Sequence, residues 1–113
     1  MEVRAVAKNI RRSPRKMRLV VDTVRGRSVN EALAMLSLMP QAGARDVYKV
    51  VKSAASNAEN NFELDINDLV VHRIYVDEGP ALKRFRARAH GRVAPRLRRS
   101  SHITAVVEEK GAH

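Results

Sequence analysis

Cysteine and tryptophan are absent from this 113-residue chain, and only 4% of its residues are aromatic. Without cysteine there are no disulfide staples and no thiolate metal ligands, which suits a reducing compartment. With two Phe and two Tyr, the core has to be assembled mainly from Val, Ala, Leu, Ile and Met. No apolar run approaches the roughly 20 residues that cross a bilayer. The opening MEVRAVAKNI also lacks the apolar stretch of a secretory signal. These absences predict a soluble, intracellular protein, and the length predicts one domain over residues 1–113. The most telling absence is acid. Residues 79–103, GPALKRFRARAHGRVAPRLRRSSHI, contain no Asp or Glu and eight Lys or Arg.

Charge is distributed in blocks. Residues 1–27 carry nine basic and two acidic side chains, residues 28–78 four and eight, and residues 79–113 nine and two. Two zones of +7 therefore flank a body of −4, for a net charge of +10 and a pI near 11.1. A charge serving only solubility would be spread evenly, so the blocks point to surfaces aimed at a polyanion.

Residues 2–8 alternate loosely and read as a strand. Ser13 is placed as an N-cap and Pro14 as the first residue of a helix. Met17, Val20, Val21 and Val24 form its buried stripe, and Gly26 stops it. A second helix opens at Ser28, with Glu31 completing a capping box, buries Ala32, Leu33 and Leu36, and ends before Pro40. A third runs over about 41–60, with Ala44, Val47, Val51, Ala54 and Ala58 on one face. LVVHRIYVDEG (69–79) is rich in β-branched residues and reads as a strand, with SHITAVV (101–107) as its antiparallel partner.

The basic stretch lies between those two strands. A connection of this length inside a small domain is uncommon and normally functional or disordered. It alternates like a strand: Arg84, Arg86 and Arg88 on one side, Phe85, Ala87 and Ala89 on the other. The return has Arg92, Ala94, Arg96 and Arg98 against Val93, Pro95 and Leu97. Ala89-His90-Gly91 suits a tip, and Pro95 suits an unflanked ribbon. Arms of about ten residues would project on the order of 30 Å. The predicted architecture is α+β: a small three-stranded antiparallel sheet packed by about three helices, comprising a body of residues 1–78 and 100–113. From it a long basic β-hairpin, residues 79–99, protrudes.

Two groups of cations stand out. Lys83, Arg84, Arg86, Arg88, Arg92, Arg96, Arg98 and Arg99 lie on the hairpin. Arg11, Arg12, Arg15, Lys16 and Arg18 gather toward the start of the first helix, followed by Arg25 and Arg27. Cations at a helix N-terminus oppose its dipole, which points to an external anion. Arg18 also stands where it can pair with Asp22. Guanidinium groups grip phosphates through paired donors and stack on exposed bases, which suits RNA. Catalytic patterns are missing: Asp77 and Glu78 are strand neighbours facing opposite ways. DINDLV lacks the Gly and Glu of a calcium loop. The histidines at 72, 90, 102 and 113 lack ligand spacing, so neither metal nor cofactor is expected. An architectural DNA-binding protein would need intercalating bulk at the tip, and a membrane-surface protein a bulky apolar face on the hairpin. The sequence has neither.

Four stretches in order, SPRKMRLVVDTVRGRSVNEAL, SAASNAENN, VDEGPALKR and SSHITAVVEE, resemble the family of the twenty-second protein of the large ribosomal subunit, in its bacterial or organellar form. The resemblance spans nearly the whole chain. It implies a structural, non-enzymatic protein of the cytoplasmic ribosome, present as a single copy without homo-oligomer or membrane contact. It further implies binding to several domains of large-subunit rRNA, contact with neighbouring ribosomal proteins, and action early in assembly. The hairpin would line the exit tunnel beside the nascent polypeptide, with Arg88, Ala89, His90, Gly91 and Arg92 at its tip. The chain departs from the family pattern at Ala87, where proline is frequent, at His90, where Lys or Arg is frequent, and at Pro95, where a polar residue is common.

Overall fold

The computed structural model describes residues 2–79, 82–87, 93–98 and 100–110, with 82–87 and 93–98 through their backbone alone. In chain order these form β1 (Glu2–Ile10), α1 (Pro14–Val24), α2 (Val29–Leu38) and α3 (Gly43–Phe62). A 3-10 turn (Ile66–Asp68) precedes β2 (Leu69–Glu78), β3 (Leu82–Ala87), β4 (Val93–Arg98) and β5 (Ser101–Glu109). The body is α+β, with three helices and the three-stranded antiparallel sheet β1-β5-β2.

The last strand occupies the centre. β5 was expected beside β2, and it pairs there from Leu69↔Glu109 to Glu78↔Ser101. It also pairs with β1, from Glu2↔Glu108 to Ile10↔Ser101. Flanked on both sides, β5 is buried along almost its whole length, Thr104 and Glu108 included. β-Bulges interrupt both ladders, between Ala7 and Ile10 and between Val71 and Arg73. Asn9 takes φ 58° at the first, a conformation its short polar side chain tolerates.

The helices form as their apolar spacing dictates. α1 buries Met17, Val20, Val21 and Val24, packing on β2, and the chain reverses at Gly26 with φ 82°, where a Cβ would be strained. Ser13 occupies the N-cap position, but its hydroxyl accepts no backbone hydrogen bond. Pro14 fills the first helical position as expected, and Ser13 lines a neighbouring groove. At α2, Ser28 Oγ accepts from the Glu31 N–H at 3.2 Å. The reciprocal half of the expected capping box is replaced: the Glu31 carboxylate takes Arg27 Nη1 at 2.7 Å.

α3 begins and ends two residues later than the predicted 41–60 and terminates at Glu63 in the left-handed region, φ 55°. Its buried face is small: Ala44, Ala54, Ala55 and Ala58 alternate with Val47, Val50 and Val51. That lets the helix lie close on β1 and β5, with α2 packed on its flank.

β3 and β4 pair antiparallel from Leu82↔Arg98 to Ala87↔Val93. The described part of each arm is six residues long. Residues 88–92, the expected tip, lie outside the described residues. The molecule measures 62 × 26 × 21 Å with a radius of gyration of 17.1 Å. A compact chain of this length would have about 13 Å, so part of the molecule lies well outside a compact body. Where the chain leaves and re-enters the sheet, the Gly79 N–H donates to the Ser100 carbonyl at 2.9 Å. A Cβ at Gly79 would run into the Ser100 hydroxyl.

Candidate nucleic-acid interface

The predicted cations around α1 fall into two groups by what they touch. Arg18 Nη2 donates to the Val76 carbonyl at 3.2 Å. Arg25 donates through Nε and Nη2 to the Ile74 carbonyl and through Nη1 to Asp22 at 2.8 Å. Asp22 thus belongs to Arg25, and the expected Arg18–Asp22 pair is not formed. Arg27 reaches back to the Thr23 carbonyl and across to Glu31. These three arginines fasten α1 and its following turn to β2 and α2.

Arg11, Arg15 and Lys16 are exposed and make no hydrogen bond or ion pair among the described residues. They sit at the positive end of α1, whose first turn contains no acidic residue, so their own electrostatics favour an added anion. Arg12 stands between the groups. Its Nε pairs with Asp46 of α3 at 2.6 Å, and its carbonyl accepts the Ser101 hydroxyl at 2.6 Å. Both ends of the residue are held while its Nη groups stay available.

A groove of about 520 Å³ opens beside these cations, between the beginnings of α1 and α3. Arg11, Arg12 and Lys16 line it together with Met17, Leu19 and Gln41. A second groove of about 530 Å³ lies beyond Arg12 and includes Arg45, Met39 and Tyr48. Neither groove was anticipated from sequence. One signal was present: Leu19 breaks the phase of the Met17–Val20–Val21–Val24 stripe and is 70% exposed.

On the ribbon, backbone register sets Arg84 opposite Arg96 and Arg86 opposite Ala94, with Lys83 opposite Leu97 on the other face. The alternation read from sequence therefore matches the pairing. Like charges directly opposite each other weaken a ladder, so this pairing gains from a counter-anion. The side chains of Lys83, Arg84, Arg86, Arg96 and Arg98 lie outside the described residues, as do Arg88, Ala89, His90, Gly91, Arg92 and Arg99 in full.

Sequence spacing also concealed a histidine–carboxylate cluster. One ligand-type atom from each of Glu2, His72 and Glu108 lies within 4.8 Å of the others. His72 Nδ1 is 3.0 Å from Glu108 Oε1 and its Nε2 is 3.3 Å from Glu2 Oε1. The Glu2 carboxylate also takes Arg73 at 2.6 Å. Each imidazole nitrogen faces a different carboxylate, so the ring separates the two acids and the cluster acts as a clasp across three strands.

A helix-backed sheet, free cations at one helix start, and a ribbon opposing arginine to arginine make a scaffold whose charge suits a polyanion. The chain matches the family described as Ribosomal protein L22p/L17e over residues 5–108. It belongs to that family, and is accordingly a structural constituent of the large ribosomal subunit that binds rRNA.

Proposed function

We propose that this chain is one domain, a body with the inserted ribbon 79–99, that joins several segments of large-subunit rRNA early in assembly. In this reading the body also meets neighbouring ribosomal proteins in a single copy per subunit of the cytoplasmic ribosome. The ribbon lines the exit tunnel, with Arg88, Ala89, His90, Gly91 and Arg92 at the tip and small residues Ala87 and Ala89 beside the nascent polypeptide; Ala94, expected with them, pairs with Arg86 and so belongs to the opposite face. The observation that carries the reading is the group Arg11, Arg15 and Lys16, free of partners among the described residues at the positive end of a helix. Arg12 ties that end of the helix, through Ser101, to the root of the ribbon.

The physics is that of a scaffold. Basic side chains displace counterions from RNA phosphates, giving salt-dependent affinity. A lone two-stranded ribbon is marginal in water, so RNA packed around it would add stability that two strands alone supply poorly. Sucrose-gradient fractionation at moderate and high salt tests the assignment. Retention in the large-subunit peak through the high-salt wash is expected; recovery only in free or DNA-bound fractions would overturn it. For the tunnel reading, bulky residues at Ala87 or Ala89 should alter nascent-chain stalling in assembled ribosomes, and unchanged stalling counts against it.

A further inference from the structure

We infer that the groove between the beginnings of α1 and α3 takes one unstacked base of a single-stranded RNA segment, flanked by phosphates on Arg11 and Lys16. This rests on the reading of the chain as an RNA-binding protein and names what that surface recognises. The groove is amphiphilic in the way a nucleotide is. Its apolar surface is mainly Leu19, 70% exposed, backed by Met17 and Val20, which are 1% and 3% exposed. Its rim carries three cations, Arg11, Arg12 and Lys16, and the amide of Gln41. Its volume, about 520 Å³, falls in the range of roughly 300–1,000 Å³ that encloses small ligands.

A duplex presents phosphates outward and keeps its bases stacked inside, so it would use the rim and leave Leu19 bare. An unpaired base uses both: its flat face covers the apolar floor, and its flanking phosphates reach the rim. Gln41 supplies a donor and an acceptor for a base edge. Arg12 is held ready by Asp46 and by Ser101. The wall is thin at one place. A Cβ on Gly43 would lie 2.6 Å from Met17 Sδ and 3.6 Å from Arg12 Cδ, so the absence of a side chain here lets the start of α3 approach the floor this closely, and an added methyl would displace Met17.

The chain contains no tryptophan, so Leu19→Trp places a single reporter on the exposed floor. The full-length variant is titrated with a short single-stranded RNA, with the same ribose-phosphate strand lacking bases, and with an RNA duplex. Binding is followed independently by anisotropy of end-labelled RNA. Single-stranded RNA is expected to quench Trp emission, while the abasic strand and the duplex bind with little quenching. Loss of one stacked base should weaken binding about tenfold. Lys16→Ala should weaken single-strand binding, and Gly43→Ala should reduce the quenching at saturation. Equal quenching by the abasic strand would overturn base recognition in favour of phosphate alone. Binding of all three RNAs without quenching would assign the groove to another occupant, such as a neighbouring protein. Absence of binding in anisotropy would instead remove the RNA reading itself, and the inference with it.

Discussion

The hydroxyl of Ser101 donates to the carbonyl of Arg12 at 2.6 Å, across 89 residues of sequence. Ser101 opens the central strand at the root of the ribbon and is fully buried, whereas Arg12 stands among the free cations of α1. This hydrogen bond adds to the β1–β5 ladder, which ends at Ile10↔Ser101, in joining the two basic zones. Ser101→Ala deprives the Arg12 carbonyl of this donor and should cost about 1–3 kcal/mol. Urea unfolding at unchanged m-value would register the loss; a midpoint equal to that of the parent protein would show the bond to be dispensable.

The division among the arginines predicts two kinds of variant. Arg11→Ala, Arg15→Ala and Lys16→Ala should leave stability within about 0.5 kcal/mol. Each should reduce the slope of log K against log salt by about one for every phosphate contact removed. Arg25→Ala loses two donors to the Ile74 carbonyl. Because that side chain is 45% exposed, the expected destabilisation is modest, about 1 kcal/mol, with the salt slope unchanged. Thermal unfolding paired with RNA titration separates the classes, and a reversed pattern would refute the division.

Gly79→Ala should strain the entry to the ribbon. The added methyl would meet the Ser100 hydroxyl and lie 3.2 Å from His102 Cε1, an overpacking that typically costs about 1–3 kcal/mol. Such a variant is expected to unfold at lower urea and to incorporate less efficiently into large subunits. Parent-like behaviour in both assays would mean that Ser100 yields freely.

The clasp around His72 should be asymmetric. Glu108 is 4% exposed and contacts His72 at 3.0 Å, so truncating it should cost about 1–3 kcal/mol. Glu2, 42% exposed and shared with Arg73, should contribute under about 1 kcal/mol. A double-mutant cycle between His72→Ala and Glu108→Ala should return a coupling above about 0.5 kcal/mol. A coupling of zero would reduce the contact to mere proximity.

Local rules made much of the fold legible. The Met17–Val24 stripe, the Ser28 cap and the β-branched run before Glu78 each announce themselves within a few residues. What stayed hidden depends on distant partners. Nothing local reveals that β5 takes the centre, because Glu2↔Glu108 and Val70↔Glu108 are pairings of chain-distant residues. The same holds for Asp46 beside Arg12, for the approach of Gly43 to Met17, and for the two carboxylates around His72. Ser13 shows the limit of a motif: the residue type and position were right for a cap, yet its hydroxyl accepts no N–H from the second or third helical residue. The cations were visible as charge, while their division into fastened and free required the carbonyls of Val76 and Ile74.

The central place of β5 also orders events in time. β1 and β2 are joined only through a strand that begins at Ser101, so neither can find its ladder until the ribbon sequence has been made. During synthesis the sheet is the last part of the body to close, and the acid-free stretch emerges before it. Pairing residue 2 with residue 108 is a closure of high sequence separation, which slows folding. The basic arm is therefore made ahead of a finished body, and on the proposed reading the order of synthesis favours binding and folding as one event.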